Sequence, residues 1–152
     1  MRFLSRIALA AALATLVAGC DLFGFLYDTT MTATIDGAAF ECRRAVHMVV
    51  VATTVTMSAE DGDMAIQLVF KLPATYPCTR SLDSPAEGFA TASVTSGGRT
   101  ATLPIDGGTG WITMATFDDR HCIGTFELHA VSTVDSTPFA IYAVNGSFDV
   151  NH

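Results

Sequence analysis

The chain has 152 residues, with 8 basic and 15 acidic side chains and a net charge of −7. This length is typical of one domain and can bury a hydrophobic core without the help of disulfides. The acidic balance excludes nucleic-acid binding through a basic surface, because negative side chains repel the phosphate backbone.

The first segment has the features of a signal peptide. Arg2 and Arg6 precede an uncharged run, rich in Ala and Leu, over residues 7–19. As a helix this run would cover roughly 20 Å, which is short of the ~30 Å hydrocarbon core of a bilayer. We therefore predict that residues 1–19 form an export signal rather than a membrane span.

The signal ends in Val17-Ala-Gly-Cys20, which resembles the lipobox of bacterial lipoproteins. The resemblance implies cleavage before Cys20, a diacylglycerol thioether on its sulfur, and attachment to a membrane of the bacterial cell envelope. An ordinary secretory signal with a chance cysteine is the alternative. Asp21 resembles the signal that retains enteric-type lipoproteins in the inner membrane. This resemblance leans towards the inner membrane, and the outer membrane stays open as the alternative.

Cleavage would also change the charge of the protein. Arg2 and Arg6 leave with the signal, so the basic count falls from 8 to 6 against 15 acidic side chains, and the net charge becomes −9. Such a surface is not attracted to anionic head groups. We therefore expect lipid on Cys20, and not a basic patch, to bind the protein to the membrane, since two or more acyl chains make anchoring stable.

Residues 20–30 are predicted to contain the lipidated cysteine and a short tether. Ten residues span at most ~34 Å, which keeps the following domain close to the bilayer. The tether is rich in large hydrophobic side chains, namely Leu22, Phe23, Phe25, Leu26 and Tyr27. These side chains either enter the membrane interface or pack on the domain, and we expect them to pack on the domain.

Residues 31–152 are predicted to form a single all-β domain. Thr, Val, Ile and Phe dominate, turn signals recur at short intervals, and no stretch shows a sustained helical period. The predicted strands cover residues 31–36, 40–58, 64–72, 88–95, 99–104, 110–117, 122–133 and 138–150. Because the links are too short for crossover helices, we expect about eight antiparallel strands in a β-sandwich or a barrel-like closed sheet.

Side-chain alternation predicts which faces of these strands are buried. In strand 122–133 one face consists of Phe126, Leu128 and Ala130, and the other of Thr125, Glu127 and His129. In the same way, Trp111 is expected on the face opposite Ile112. The segment 40–58 is apolar on both faces, so we expect a long, bent strand that is covered on both sides.

Three cysteines remain once Cys20 is alkylated. In an oxidising envelope compartment, three thiols predict one disulfide and one free thiol. A strict up-and-down order of the strands places Cys42 and Cys78 at one end of the domain, on or beside adjacent strands, and Cys122 at the other end. We therefore predict a Cys42–Cys78 disulfide, with Cys122 unpaired and buried as a small apolar side chain.

The same strand order gathers acidic turn residues at one end of the domain. These are Glu60, Asp61, Asp63, Asp118 and Asp119, with His121 beside them. Clustered carboxylates can ligate Ca²⁺, which makes Asp61, Asp63, Asp118 and Asp119 the candidates for a metal site. Their spacing matches no calcium loop, and aspartate in turns usually bonds the backbone. We therefore expect turn chemistry, with no metal and no other cofactor.

Trp111 is the only tryptophan and is the candidate ligand contact. Packing in the core or at a sheet edge is the more common role of such a side chain, and stacking on a sugar ring from an exposed sheet face is the alternative. The sequence has no Gly-x-Ser-x-Gly, His-Glu-x-x-His or phosphate-binding loop. His121 and Cys122 are neighbours whose side chains diverge on a strand. No catalytic residue is therefore predicted.

Four phrases resemble, in their order, small bacterial envelope lipoproteins of unknown function. They are Ala33-Thr-Ile-Asp-Gly37, Gly110-Trp-Ile-Thr-Met114, Gly124-Thr-Phe-Glu-Leu128 and Val144-Asn-Gly-Ser-Phe148. The resemblance covers residues 31–150. The chain departs from it at Phe40, where a Trp is usual, and at Ala74-Thr-Tyr76, where Gly-Thr-Tyr is usual. It implies a β-fold and an envelope location, and it brings no catalytic residues.

Together these features predict a membrane-anchored bacterial lipoprotein that acts as a non-catalytic protein-interaction or structural module of the envelope. A β-barrel or β-sandwich that binds a small ligand or a glycan is the alternative. An enzyme built on the turn carboxylates is the least favoured class. The expected partners are the membrane, through lipid on Cys20, and an envelope protein or glycan.

Overall fold

The computed structural model describes residues 29–82, 90–103, 107–118, 120–134 and 137–151. The predicted signal, Cys20, Asp21, the tether through residue 28 and Asp119 lie outside the described residues. Within the described part, the chain is an all-β structure of eleven antiparallel strands in two sheets. No helix among these residues is long and apolar enough to cross a membrane.

One sheet has six strands, in the spatial order β2-β1-β11-β10-β9-β6. Its strands are β1 (Thr30–Ile35), β2 (Ala38–Arg43), β6 (Cys78–Ser81), β9 (Gly108–Phe117), β10 (His121–Val134) and β11 (Thr137–Asn151). The other sheet has five strands, in the order β3-β4-β5-β7-β8. Its strands are β3 (His47–Val51), β4 (Thr54–Asp61), β5 (Met64–Lys71), β7 (Ala90–Ser96) and β8 (Arg99–Leu103).

The core lies between the two sheets. The ring of Phe70 on β5 stacks on Phe148 of β11, and Phe148 stacks on Phe126 of β10, each with ring centroids 6.4 Å apart. All three rings are almost fully buried. The apolar faces predicted from alternation are the buried ones, including Leu128 and Ala130 on β10. The all-β prediction is confirmed, and of its two forms the structure is the sandwich rather than a closed barrel.

The single long strand predicted over residues 40–58 is wrong. This segment forms β2, β3 and most of β4, and the chain crosses from one sheet to the other between β2 and β3. The two breaks fall at Arg44 and Ala52, whose φ angles are +67° and +54°. Neither residue is a glycine or asparagine, so composition gives no turn signal there.

The outer face of β3 is also not covered by any described residue. Val49 and Val51 are 54% and 68% exposed. The apolar character of both faces therefore reflects an edge strand with exposed valines, and not burial on both sides. A second difference is β6, which pairs with β9 inside the stretch 73–87 that we expected to be irregular.

The predicted Cys42–Cys78 disulfide is not formed, and Cys42, Cys78 and Cys122 are all free thiols. Cys42 lies on β2 and Cys78 on β6, which are the opposite edges of the six-stranded sheet. Four strands lie between β2 and β6, and neighbouring strands are about 4.8 Å apart, so the two thiols are too far apart for a disulfide. The prediction fails because it assumed a strict up-and-down order, whereas the chain changes sheet between β2 and β3 and returns at β6.

Candidate functional site

A concave groove of about 300 Å³ lies on the solvent side of the six-stranded sheet. Four neighbouring strands, β6, β9, β10 and β11, supply its walls. The lining residues are Ser81, Thr109, Gly110, Trp111, Glu127, Leu128, His129, Tyr142 and Val144. The groove therefore brings aromatic, carboxylate, imidazole and hydroxyl groups together on one open surface.

The first row of groove side chains runs across three strands. Trp111 on β9 pairs with Glu127 on β10 and, on its other side, with Ser81 on β6. Residues that pair directly across antiparallel strands have Cβ atoms about 4.5–5.5 Å apart. The half-buried Trp111 indole thus stands between an exposed carboxylate and an exposed hydroxyl.

The second row runs parallel to the first. Thr109 on β9 pairs with His129 on β10, and His129 pairs with Tyr142 on β11. The rings of His129 and Tyr142 are in contact, with centroids 3.9 Å apart and planes tilted by 54°. The row forms a partly exposed aromatic ledge beside the indole, and 41% of Tyr142 is open to solvent.

The backbone of Tyr142, at one end of the second row, is held by two hydrogen bonds to Asp36. The Tyr142 N–H donates to Asp36 Oδ1 at 2.9 Å, and the Asp36 N–H donates to the Tyr142 carbonyl at 2.9 Å. Asp36 stands in the turn between β1 and β2 with a φ of +49°. These two hydrogen bonds to a tight turn fix the position on the strand from which the Tyr142 side chain projects.

A glycine forms the floor of the groove. A Cβ atom on Gly110 would lie 2.6 Å from the Glu127 carbonyl oxygen and 3.2 Å from the Leu82 side chain. The Leu82 N–H donates to the Gly110 carbonyl at 2.8 Å, and the Leu82 side chain is fully buried. Only glycine fits between these neighbours, and because Leu82 is buried, the side chain that is absent from Gly110 would point into the core beneath the groove. Trp111, the next residue, projects to the opposite, solvent-facing side and forms the wall of the groove.

This arrangement suits a ligand that has one apolar face and several polar edges. An aromatic face attracts the positively polarised C–H groups of a flat ligand and removes apolar surface from water. The Glu127 carboxylate accepts hydrogen bonds, and the Ser81 and Thr109 hydroxyls both donate and accept them. A sugar ring has both properties. The groove volume is at the lower end of the range for small-ligand sites, about 300–1,000 Å³.

The sequence identified only part of the groove. Trp111 was the predicted ligand contact, and it lies in the groove, where it is half-buried. Glu127 and His129 were assigned to the correct polar face, but not to a site, because alternation does not give the register between strands. Tyr142 was missed. The available clue was alternation: Tyr142 stands between Ile141 and Ala143, which are both buried, so its own side chain lies on the outer face.

Of the four metal candidates, the structure describes three, and it does not gather them. Asp61 accepts a hydrogen bond from the Glu41 N–H at 3.2 Å, beside edge strand β2. Asp118 follows β9 and accepts from the Arg120 N–H at 2.9 Å within its own turn. Strands β1, β11 and β10 stand between β2 and β9. Asp63 is exposed in the β4–β5 turn, Asp119 is not described, and no three ligand-type side chains of the described residues converge.

His121 and Cys122 diverge at the start of β10. His121 faces outward, with Nε2 2.5 Å from Asp149 Oδ1. Cys122 points into the core and is fully buried, and burial raises the pKa of its thiol to about 12. Burial, followed by the nearby Cys122 and Cys78, also raises the pKa of Tyr76. The His121–Asp149 pair therefore does not activate the neighbouring thiol, which is protonated at neutral pH.

Comparisons with protein-family models, with curated proteins and with solved structures find no match to this chain.

Proposed function

We propose that this protein is a lipid-anchored, non-catalytic binding module of the bacterial cell envelope whose groove takes a sugar ring of a glycan. The single observation that carries the proposal is the pair of side-chain rows across β9, β10 and β11, Trp111 with Glu127 and His129 with Tyr142. They place aromatic faces and hydrogen-bonding edges at the spacing of neighbouring strands, about 4.8 Å.

The envelope location is part of the proposal. It is supported by the lipobox-like Val17-Ala-Gly-Cys20 and by the four ordered phrases that resemble envelope lipoproteins. Lipid on Cys20 is the anchor, and Asp21 favours the inner membrane. Acyl labelling and membrane fractionation of Cys20→Ala test this part. If the variant keeps both the label and the membrane fraction, the anchor is not at Cys20.

The groove lies away from the end of the domain where the tether enters. Thr30, the first residue of β1, pairs with Asp149 on β11, and Tyr142 lies seven residues earlier on the same strand. At about 3.3 Å per residue, the groove stands ~20 Å from the end of the sheet where the tether enters. A tethered domain would thus present its groove to ligands in the space beyond the bilayer.

Fluorescence titration tests the groove directly, because Trp111 is the only tryptophan in the chain. The detergent-purified full chain is titrated with a soluble oligomer of N-acetylglucosamine and, separately, with a neutral glucose oligomer. We expect a saturable change in emission with at least one of them. Absence of a change with both would overturn the glycan proposal while leaving the anchor proposal intact.

Calorimetry of variants separates groove binding from binding elsewhere. Trp111→Ala and Tyr142→Ala should each weaken binding by about tenfold or more, because loss of an aromatic contact costs about 1–3 kcal/mol by analogy with stacked nucleobases. Gln67→Ala is the matched control, since Gln67 is exposed on the outer face of the other sheet. An equal loss in the control would mean that the ligand does not use the groove.

A protein-interaction role is the second candidate function. One specific observation favours it, namely the exposed valines Val49 and Val51 on edge strand β3.

A further inference from the structure

The two sheets have four edge strands, and one differs from the others. β2 carries Glu41 and Arg43, β6 carries Arg80, and β8 carries Arg99, so each of these three edges has at least one charged side chain. Charged residues on an edge discourage pairing with another chain. β3, with the sequence His47-Met-Val-Val-Val51, has no Asp, Glu, Lys or Arg, and His47 is its one titratable side chain.

The outer surface of β3 is apolar, and the strand has no Asp, Glu, Lys or Arg to discourage pairing with another chain. Val49 and Val51 both project outward, and they are two of the four large hydrophobic side chains that are exposed among the described residues. The whole stretch 45–59, which holds β3 and most of β4, contains no Asp, Glu, Lys or Arg. No described strand pairs with the second side of β3.

The charge of the chain indicates which partner fits this strand. The net charge is −7, so two copies of the protein repel each other over most surfaces. A two-fold contact places each residue near the same surface of its copy, and it therefore favours a patch without charge. We propose that β3 pairs antiparallel with β3 of a second copy and joins the two five-stranded sheets into one.

The hairpin fixes the register of this pairing. β3 and β4 are joined by the two-residue turn Ala52-Thr53, so Val51 and Thr54 form the closing hydrogen-bonded pair. Hydrogen-bonded and non-hydrogen-bonded pairs alternate along an antiparallel ladder. Val49 therefore directs its backbone N–H and C=O groups to β4 and forms hydrogen bonds with it. Met48 and Val50 direct theirs to the free edge.

A two-fold axis at Val49 gives hydrogen-bond partners to the backbone groups of Met48 and Val50. Met48 then pairs with Val50 of the second copy, and Val50 pairs with Met48 of the second copy, which gives four backbone hydrogen bonds. Val49 lies opposite its own copy, and His47 lies opposite Val51. Five residues per strand form a contact well below the ~1,600 Å² of a standard interface, so the dimer is weak and depends on concentration.

Cysteine cross-linking in membranes of cells that express the full chain tests the register. Val49→Cys places two thiols directly opposite each other, with Cβ atoms about 4.5–5.5 Å apart. Val51→Cys is more exposed but lies two residues from the axis, so its copies are about 13 Å apart along the strand. The first distance permits a disulfide and the second does not, so mild oxidation should give about tenfold more dimer with Val49→Cys.

Two controls complete the experiment. Gln67→Cys introduces an exposed thiol on the outer face of the same sheet but on the central strand β5, and it should behave like Val51→Cys. The unmodified chain reports any background from Cys42, Cys78 and Cys122. A band of twice the monomer mass that depends on Val49→Cys supports the pairing.

Three results would overturn it. Equal cross-linking at positions 49 and 51 would indicate random collision or another register. A Val49→Cys product of a different mass would mean that β3 meets a different protein. A Val49→Cys chain that stays monomeric under oxidation would mean that no second copy reaches this edge.

Discussion

The ring of Phe126 occupies the space into which a side chain on Gly146 would project. The two residues pair directly across β10 and β11, and a Cβ atom on Gly146 would lie 2.4 Å from Cε2 of that ring. The register of the pair shifts just beyond this point, beside Asn145, whose φ is +53°. The glycine in β11 thus leaves room for the Phe126 ring, which stacks on Phe148 in the core.

Gly146→Ala should lower the free energy of unfolding by about 1–3 kcal/mol, because the added methyl group forces the Phe126 ring out of its position. Chemical denaturation measures the change. The double variant Gly146→Ala/Phe126→Leu should lose less than the sum of the two single variants, because the smaller side chain leaves room for the methyl group. Additive losses would show that the two residues do not share this space.

Asp36→Ala should destabilise the domain by about 1–2 kcal/mol. It removes the acceptor for the Tyr142 N–H, worth about 0.5–1.5 kcal/mol, and puts Ala where φ is +49°. Asp36→Asn keeps an Oδ1 acceptor and tolerates positive φ, so it should remain close to the unmodified protein. Urea denaturation of the three proteins compares them, and equal stability of Ala and Asn would contradict this account.

Ala52→Gly should stabilise the domain by about 1 kcal/mol, because the left-handed conformation costs a non-glycine residue about that much. Ala52 has a φ of +54° in the β3–β4 turn. The matched control is Ala39→Gly on β2, which is exposed like Ala52 but extended, and which should lose about 0.5–1 kcal/mol. Thermal and urea denaturation both report the sign. A loss at both positions would exclude relief of turn strain.

The buried thiol of Cys122 predicts a loss of stability in alkaline solution. Its pKa is raised from 9.0 to about 12, so above pH 9 the unfolded chain releases a proton that the folded chain keeps. The contribution is complete below pH 9 and falls as the pH rises towards 12, by up to about 1.4 kcal/mol per pH unit.

Cys122→Ala isolates this contribution. Unfolding free energies measured from pH 8 to 10.5 should decline less steeply in the variant than in the unmodified protein. Tyr76, whose pKa is raised mainly by burial, contributes a decline of the same sign to both proteins. Cys122→Ala also removes the smaller part of that rise that comes from Cys122, which makes the decline of the variant less steep in the same direction. Parallel curves would show that Cys122 ionises equally well in the folded state.

Local patterns in the sequence predicted the strands better than they predicted the topology. Alternation identified the buried faces of β5, β9 and β10, since one side of each strand packs in the core and the other meets solvent. It could not reveal the change of sheet after Arg43, because Arg44 and Ala52 turn the chain without a glycine. The four-residue strand β6 was too short to leave a periodic signal.

For the groove, too, the sequence predicted local features but not the way in which the strands align. A single tryptophan on the polar side of a strand indicated a contact, and Trp111 lies in the groove. Its neighbours come from β6, β10 and β11, and their alignment depends on pairings that no local pattern encodes. A shift of the register between β9 and β10 by one residue would move Glu127 and His129 to other partners.

The three free thiols have a consequence for where the protein can fold. Cys42 and Cys122 are enclosed by different strands of the core, and Cys78 lies at the far edge from Cys42. No covalent cross-link joins the strands, so the same arrangement of sheets is compatible with reducing and with oxidising surroundings. Production in a reducing cytoplasm should therefore yield the same fold as production in an oxidising space.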